Sequence, residues 1–306
     1  MSAPSAQSGV AYHGVVAADP SGKYMKLLDR IHCHLLPRTY VEVGIGTGKS
    51  LGLALPGTIA VGIDPEPNIR FAIDKSAQVF AFGSDDFFAR HDLRQVLRGN
   101  DLDLAFVDGM HLFEYALRDF FHLERFCHAE STILFHDCKP FDAETSARVR
   151  VANCWTGDVW KVLLCLKEYR PDLRIVTVDV PPTGLAMVRG LDPGSTVLAD
   201  HYDEICARYV EMSYSVLDDD RDGALNLVPD DWNLVRELLP ARPFRPDDLE
   251  RLRAQRARRR PPKPKRERKP LSTLPRRAKR RLAGSAAGPA LRAVRHPVST
   301  FKPPPR

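Results

Sequence analysis

Long apolar runs are missing from these 306 residues: none approaches the roughly 18 needed to cross a bilayer, so no membrane-spanning helix is expected. Residues 1–18 lack a basic start followed by an apolar stretch, so no secretory signal is read there and a cytoplasmic location is expected. The six cysteines (Cys33, Cys127, Cys138, Cys154, Cys165 and Cys206) include no Cys-x-x-Cys pair. That spacing disfavours a zinc knuckle or a disulfide framework and leaves reduced thiols acting as small buried side chains. No internal repeat is present.

Acidic residues are scarce at one end. Residues 241–306 hold 22 Lys and Arg against 4 Asp and Glu, whereas the preceding 240 hold 23 against 35. The overall net charge of +6 therefore sums an acidic body and a basic tail. The tail is rich in Pro, Arg, Lys, Ala and Gly, with few large apolar residues to offset the entropy of ordering, so 241–306 is expected to be disordered beyond a basic helix at 247–260. Its charge suits nucleic acid, an anionic membrane surface or an acidic protein. Only Phe244 and Phe301 could stack on bases, which argues against single-strand reading.

Within 1–240, short apolar runs alternate with helix-length segments. Strands are expected at 39–43, 59–63, 79–82, 102–107, 132–135, 173–178 and 185–188, and helical spacing at 23–36, 49–55, 69–75, 87–97, 113–127 and 159–169. Further helices at 200–212 and 231–239 close the domain. Such alternation predicts βαβ units in an α/β fold, a doubly wound, mostly parallel seven-stranded sheet. The last two strands are joined by only Asp179-Val180-Pro181-Pro182-Thr183-Gly184, too short for a parallel crossover, so one strand must run antiparallel.

The first strand runs into Gly44-Ile45-Gly46-Thr47-Gly48. A P-loop ending in Gly48-Lys49-Ser50 would need a glycine where Val43 stands, and is excluded. A dinucleotide fingerprint is weakened, because the third glycine arrives one residue early. Asp64, ending the second strand, suits ribose hydroxyls with or without phosphates. Glu42 would repel a pyrophosphate but could assist a cationic amino-acid group, which favours S-adenosylmethionine. Gly83-Ser84-Asp85-Asp86 either reaches an adenine or caps a helix.

Asp108 and His111 follow the fourth strand, and His136 and Asp137 end the fifth. In a parallel sheet these ends share an edge with the glycine turn. Two converging carboxylates call for a cation or a shared proton; Mg²⁺ on Asp108 and Asp137 would serve, with His111 or His136 taking the proton of a hydroxyl. The plainer alternative for such an Asp is a helix cap, and for such a His a structural role. Residues 137–158 and 12–24 are expected to select the acceptor, with Trp155 and Trp160 either lining its pocket or belonging to the core.

Val41-Glu42-Val43-Gly44-Ile45-Gly46-Thr47-Gly48, Gly62-Ile63-Asp64, Phe106-Val107-Asp108-Gly109-Met110-His111 and Phe135-His136-Asp137 together resemble class I S-adenosylmethionine-dependent methyltransferases. They are most similar to the branch with an Asp-Gly-x-His fourth motif, which includes macrocin-type sugar O-methyltransferases. The resemblance spans about 38–190 and departs from that branch at Met110 and Cys138. It implies the same sheet with its seventh strand antiparallel, and cofactor contacts from Glu42, Gly44, Gly46 and Gly48. It further implies ribose contact by Asp64, adenine contact by Asp85, Mg²⁺ on Asp108 and Asp137, and His111 as base. The acceptor would be a small-molecule hydroxyl, a sugar or glycoside first among them. Two other classes stay open: a nucleic-acid or anionic-surface binder with a vestigial cofactor domain, and an NAD-dependent oxidoreductase, for which no Tyr-Lys hydride site is visible.

Overall fold

The computed structural model describes residues 11–16, 22–151 and 153–259, with side chains from residue 22 onward. In chain order the elements are β1 (Ala11–Val16), α1 (Lys23–Leu35), β2 (Thr39–Val43), β3 (Ile59–Ile63), β4 (Asn68–Phe71), β5 (Gln78–Phe80), α2 (Ser84–Arg90), α3 (Leu93–Val96) and β6 (Leu102–Val107). There follow α4 (Phe113–Glu124), β7 (Cys127–His136), α5 (Trp160–Tyr169), β8 (Arg174–Val178), β9 (Leu185–Arg189), α6 (Val197–Asp200) and α7 (Tyr202–Tyr209). The last are α8 (Arg221–Ala224), β10 (Leu227–Val228), α9 (Trp232–Leu238) and α10 (Asp248–Arg259).

The main sheet has the order β10-β8-β9-β7-β6-β2-β3-β5. Its pairs are parallel except at β9, which is antiparallel to both β7 and β8. This is the doubly wound sheet with one reversed strand, extended by the two-residue β10 to eight strands. Strands such as β2 and β6 are buried along their whole length, because both faces are covered. Successive residues serve opposite sides. Val41, Val43, Ala105, Val107, Ile133 and Phe135 join the core under α4 and α5, whereas Tyr40, Leu104, Phe106 and Leu134 join the core under α1. From β2 the chain passes outward to β3 and β5, then crosses back to β6 on the other side of β2. That reversal opens a crevice at the carboxyl ends of β2 and β6.

Two helical expectations are corrected. Residues 49–55 contain only a 3₁₀ turn, Leu51–Leu53. Residues 69–75, expected as a helix, begin instead with strand β4, paired to β1. There the Asn68 and Arg70 amides donate to the Gly46 and Thr47 carbonyls (both 2.9 Å), so the segment braces the glycine turn. Ile69 is buried and Arg70 exposed, a two-residue alternation too short to stand out from helical spacing.

The expected boundary at 240/241 is also displaced. The compact unit containing the sheet extends to Arg260. Arg242 donates to Asp103 (2.8 and 3.1 Å), and buried Arg251 donates to the carbonyls of Leu36 (3.1 Å), Pro37 (2.6 Å) and Pro56 (2.9 Å) and to Thr58 Oγ1 (2.8 Å). These carbonyls precede β2 and β3, at the sheet edge opposite the crevice. A helix that composition reads as basic and solvated thus buries one of its arginines, Arg251, as a hydrogen-bond donor. The disorder expected for the rest of the tail concerns 260–306, outside the described residues. A chain ending at 260 should keep its melting temperature, while one ending at 240, or Arg251→Ala, should lose about 3 kcal/mol, roughly 10 °C. Calorimetric melting checks this; an unchanged Tm for the 240-residue chain would refute the docking.

Candidate active site

The crevice holds a cleft of about 840 Å³, lined among others by Gly44, Gly46, Asp64, Asp85, Asp108, His111, His136 and Asp137. That size suits a cofactor-sized ligand. The expected glycine turn and both strand-end clusters therefore share one cavity.

Gly44 marks the closest approach. Its φ is +84°, and a Cβ there would lie 2.2 Å from the Asp108 carbonyl oxygen. The Gly44 amide donates to Ile63 O (2.8 Å) and the Asp108 amide to Val43 O (2.9 Å), so the ends of β2, β3 and β6 are tied together at this point. Gly46, at φ +45°, lines the cleft and has nothing within 4 Å of where its Cβ would be. Asp64 accepts from the amides of Gly46 (2.8 Å) and Glu66 (2.8 Å), which fixes its carboxylate beside the turn; a carboxylate keeps further lone pairs for a ligand.

Glu42 lies elsewhere than expected. It is fully buried beneath the turn and does not line the cleft. Its carboxyl accepts from Tyr40 Oη (2.7 Å) and Ser50 Oγ. Burial pushes its pKa up to about 8 against the pull of these two hydroxyls. A mostly protonated Glu42 braces the cradle from below and offers no fixed negative charge to a cation. The linkage has a definite sign. Between the ordinary carboxyl pKa and about 8 the folded state holds a proton that the unfolded state has released, so this group lowers stability as pH rises through that window and adds no slope above it. The Tm of Glu42→Gln relative to wild type should therefore climb from pH 5 to 8 and then level off; a pH-independent difference would refute it.

Asp85 lines the cleft with its carboxylate engaged by Arg118, whose Nε and Nη2 donate to its two oxygens (2.8 and 2.7 Å).

The reactive end is a four-residue cluster. His111 Nε2 lies 3.3 Å from Asp108 Oδ1 and 3.3 Å from Asp137 Oδ2; His136 Nδ1 lies 3.2 and 3.3 Å from the same oxygens. Each carboxylate thus faces two imidazoles. Burial alone would lower the His136 pKa, but Asp108 and Asp137 raise it to about 10. Burial would raise Asp108, yet His136 and His111 hold it well below the usual carboxylate range. His111 Nδ1 sits 3.2 Å from the Trp155 carbonyl, and although burial opposes the charged ring, Asp108, Asp137 and that carbonyl together raise the His111 pKa above its ordinary value. The Trp155 ring stacks on His111, with centroids 5.3 Å apart. A side chain on Gly157 would collide with the His111 carbonyl. The 137–158 segment therefore positions His111. Trp155 acts in that way, and Trp160 is buried core.

Tyr24 ends the expected acceptor segment 12–24, and two further contributors, Thr183 and Asp119, escaped sequence reading. Tyr24, opening α1, lines the cleft and packs its ring 4.1 Å from that of His136. Thr183, in the β8–β9 turn, donates to Asp137 Oδ1. Asp119, on α4, also lines the cleft. Thr183 carries no local signal, because it reaches the site only through the sheet topology. Residues 17–21 of the expected acceptor segment lie outside the described residues.

A divalent cation fits the donor set. Ligand atoms of Asp108, His111 and Asp137 lie within 4.8 Å of one another, combining two hard oxygens with one imidazole nitrogen.

Among similar solved structures are an O-methyltransferase from Bacillus cereus in complex with SAH and the O-methyltransferase TomG from Streptomyces achromogenes in complex with SAM. The first is 13% identical, covers 58% of this chain and 84% of its own, and has a TM-score of 0.42. The second is 14% identical, covers 54% and 78%, and has a TM-score of 0.40. A search of curated proteins finds no match. Residues 41–138 match the family model of a methyltransferase domain, a stretch running from the first cradle strand to the residue after Asp137. The chain carries a methyltransferase domain.

Proposed function

We propose that the chain is an S-adenosylmethionine-dependent O-methyltransferase acting on the hydroxyl of a small molecule, with a sugar or glycoside favoured as in the macrocin-type branch. One observation carries this reading: a single cleft joins the Gly44–Gly48 turn and Asp64 to the Asp108, His111, His136 and Asp137 cluster. The glycine turn and Asp64 would hold the adenosine of the donor, whose bound form supplies an activated methyl group. Methyl transfer from a sulfonium is an in-line displacement, so the protein's main task is to align acceptor oxygen and methyl carbon, a contribution of about 7–11 kcal/mol when well realised. In its neutral form His111 would take the acceptor's proton at Nε2, and two carboxylates 3.3 Å away would stabilise the imidazolium that results. Asp108 and Asp137 would hold Mg²⁺ or a similar cation, which when bound lowers the pKa of a coordinated hydroxyl, leaving His111 Nε2 to act as the base.

The test is production of S-adenosylhomocysteine from S-adenosylmethionine across sugars, glycosides, catechols and nucleic acids, with and without EDTA. Turnover with a sugar or glycoside hydroxyl supports the full reading, and loss in EDTA supports the cation. Turnover only with nucleic acid would overturn the acceptor class.

A further inference from the structure

Helix α4 turns an apolar stripe (Phe113, Ala116, Phe120, Leu123) toward the core, and Asp119 stands on its margin, three residues after Ala116 and four before Leu123. An acid at such a place is costly unless something uses it. Asp119 is 2% exposed, it lines the cleft, and its Oδ1 is buried without a hydrogen-bond partner. It sits between the loop after β6 and the start of α2: Oδ2 is 3.9 Å from where a Gly109 Cβ would be, and Ser84 is its polar neighbour. Asp119 thus bridges Gly109, the neighbour of Asp108, and the start of α2, which follows β5 on the opposite side of β2 from β7.

We propose that Asp119 is a specificity-determining residue for the base of the bound nucleoside, pairing as a neutral carboxylic acid with an adenine edge. The inference rests on the methyl-donor reading above. A protonated carboxyl offers one O–H donor beside one C=O acceptor. An adenine edge offers the complement, an exocyclic amino group beside a ring nitrogen acceptor, which asparagine amides read in the same two-bond fashion. The proton is available near neutrality: burial pushes the Asp119 carboxyl up to about 7 against the pull of Ser84, with Asp85 of α2 adding to the rise and Arg118 of α4 opposing it. Asp85, the acid expected to reach the adenine, has each oxygen paired with Arg118 and could only accept through its remaining lone pairs. Of the two, it is Asp119 that carries the unpartnered oxygen.

The experiment is calorimetric titration of the full-length protein with S-adenosylhomocysteine and with its analogue lacking the 6-amino group, using wild type, Asp119→Asn and Asp119→Leu. Wild type should prefer the amino-bearing ligand by about tenfold or more, and Asp119→Leu should bind both alike. Asp119→Asn keeps a donor and an acceptor but cannot ionise, so wild-type affinity should fall progressively behind it from pH 6 to 8.5; this comparison decides the matter if the leucine variant fails to fold. Unchanged discrimination in a folded Asp119→Leu, or a pH-independent ratio of wild type to Asp119→Asn, would overturn the role of Asp119 alone. No binding of S-adenosylhomocysteine to wild type would overturn the donor reading and this inference together.

Discussion

Asp137→Asn should lower methyl-transfer turnover by roughly 10²–10⁴-fold while leaving S-adenosylhomocysteine affinity within a few-fold of wild type. The substitution is gentle on the backbone. Asp137 has φ +57°, a region that asparagine tolerates better than most residues, and the Thr183 hydroxyl can still donate to the remaining carbonyl oxygen. What disappears is the charge facing His111 Nε2 and His136 Nδ1 at 3.3 Å. The imidazolium formed when His111 accepts a proton then loses one of its two counter-charges, and a cation held with Asp108 loses a ligand. Steady-state rates beside calorimetric affinities separate this from a structural role. Parallel loss of turnover and cofactor affinity would assign Asp137 to the scaffold.

Gly44→Ala and Gly46→Val should both abolish S-adenosylhomocysteine binding, for different reasons and with different effects on stability. At Gly44 even a methyl group would meet the backbone of Asp108 at 2.2 Å, where no rotamer can relieve it. β2 and β6 would have to separate at their ends, at a cost of about 3 kcal/mol or more once the unfavourable positive φ is included. At Gly46 nothing lies within 4 Å of the new Cβ. Valine there should cost only the strain of its backbone region, about 1–2 kcal/mol, yet fill space the ligand needs. Melting curves and titrations on the two variants test the pair. Normal binding by Gly46→Val would remove the cradle from the account, and an unchanged Tm for Gly44→Ala would contradict the close approach of β2 to β6.

The sheet was largely legible because its signals are local. Buried parallel strands are near-continuous apolar runs, and six residues between the last two strands leave room only for a hairpin. The strand-end residues Asp64, Asp108, His111 and Asp137 were legible for a related reason: once strands are parallel, their carboxyl ends share an edge. The chemistry of Glu42 was not. Its place near the turn was correct, but whether it faces the ligand or the interior depends on Tyr40 and Ser50 closing over it. Arg251 misled in the opposite direction, since composition reads an arginine-rich helix as solvated and cannot see the bare carbonyls of Leu36, Pro37 and Pro56 waiting for donors. Trp155 was noticed for the right segment, but its partner is His111. Asp119 does carry a sequence signal, an acid among the apolar Ala116, Phe120 and Leu123, but it lies in a helix and not at a strand end.

The central claim is that the cleft at the Gly44–Gly48 turn binds the methyl donor. Titration of the full-length protein with S-adenosylhomocysteine tests it most directly. The account predicts saturable binding at one site per chain, abolished by Gly46→Val and retained by Asp137→Asn. Absence of binding by the wild type, or binding that survives Gly46→Val, would contradict it.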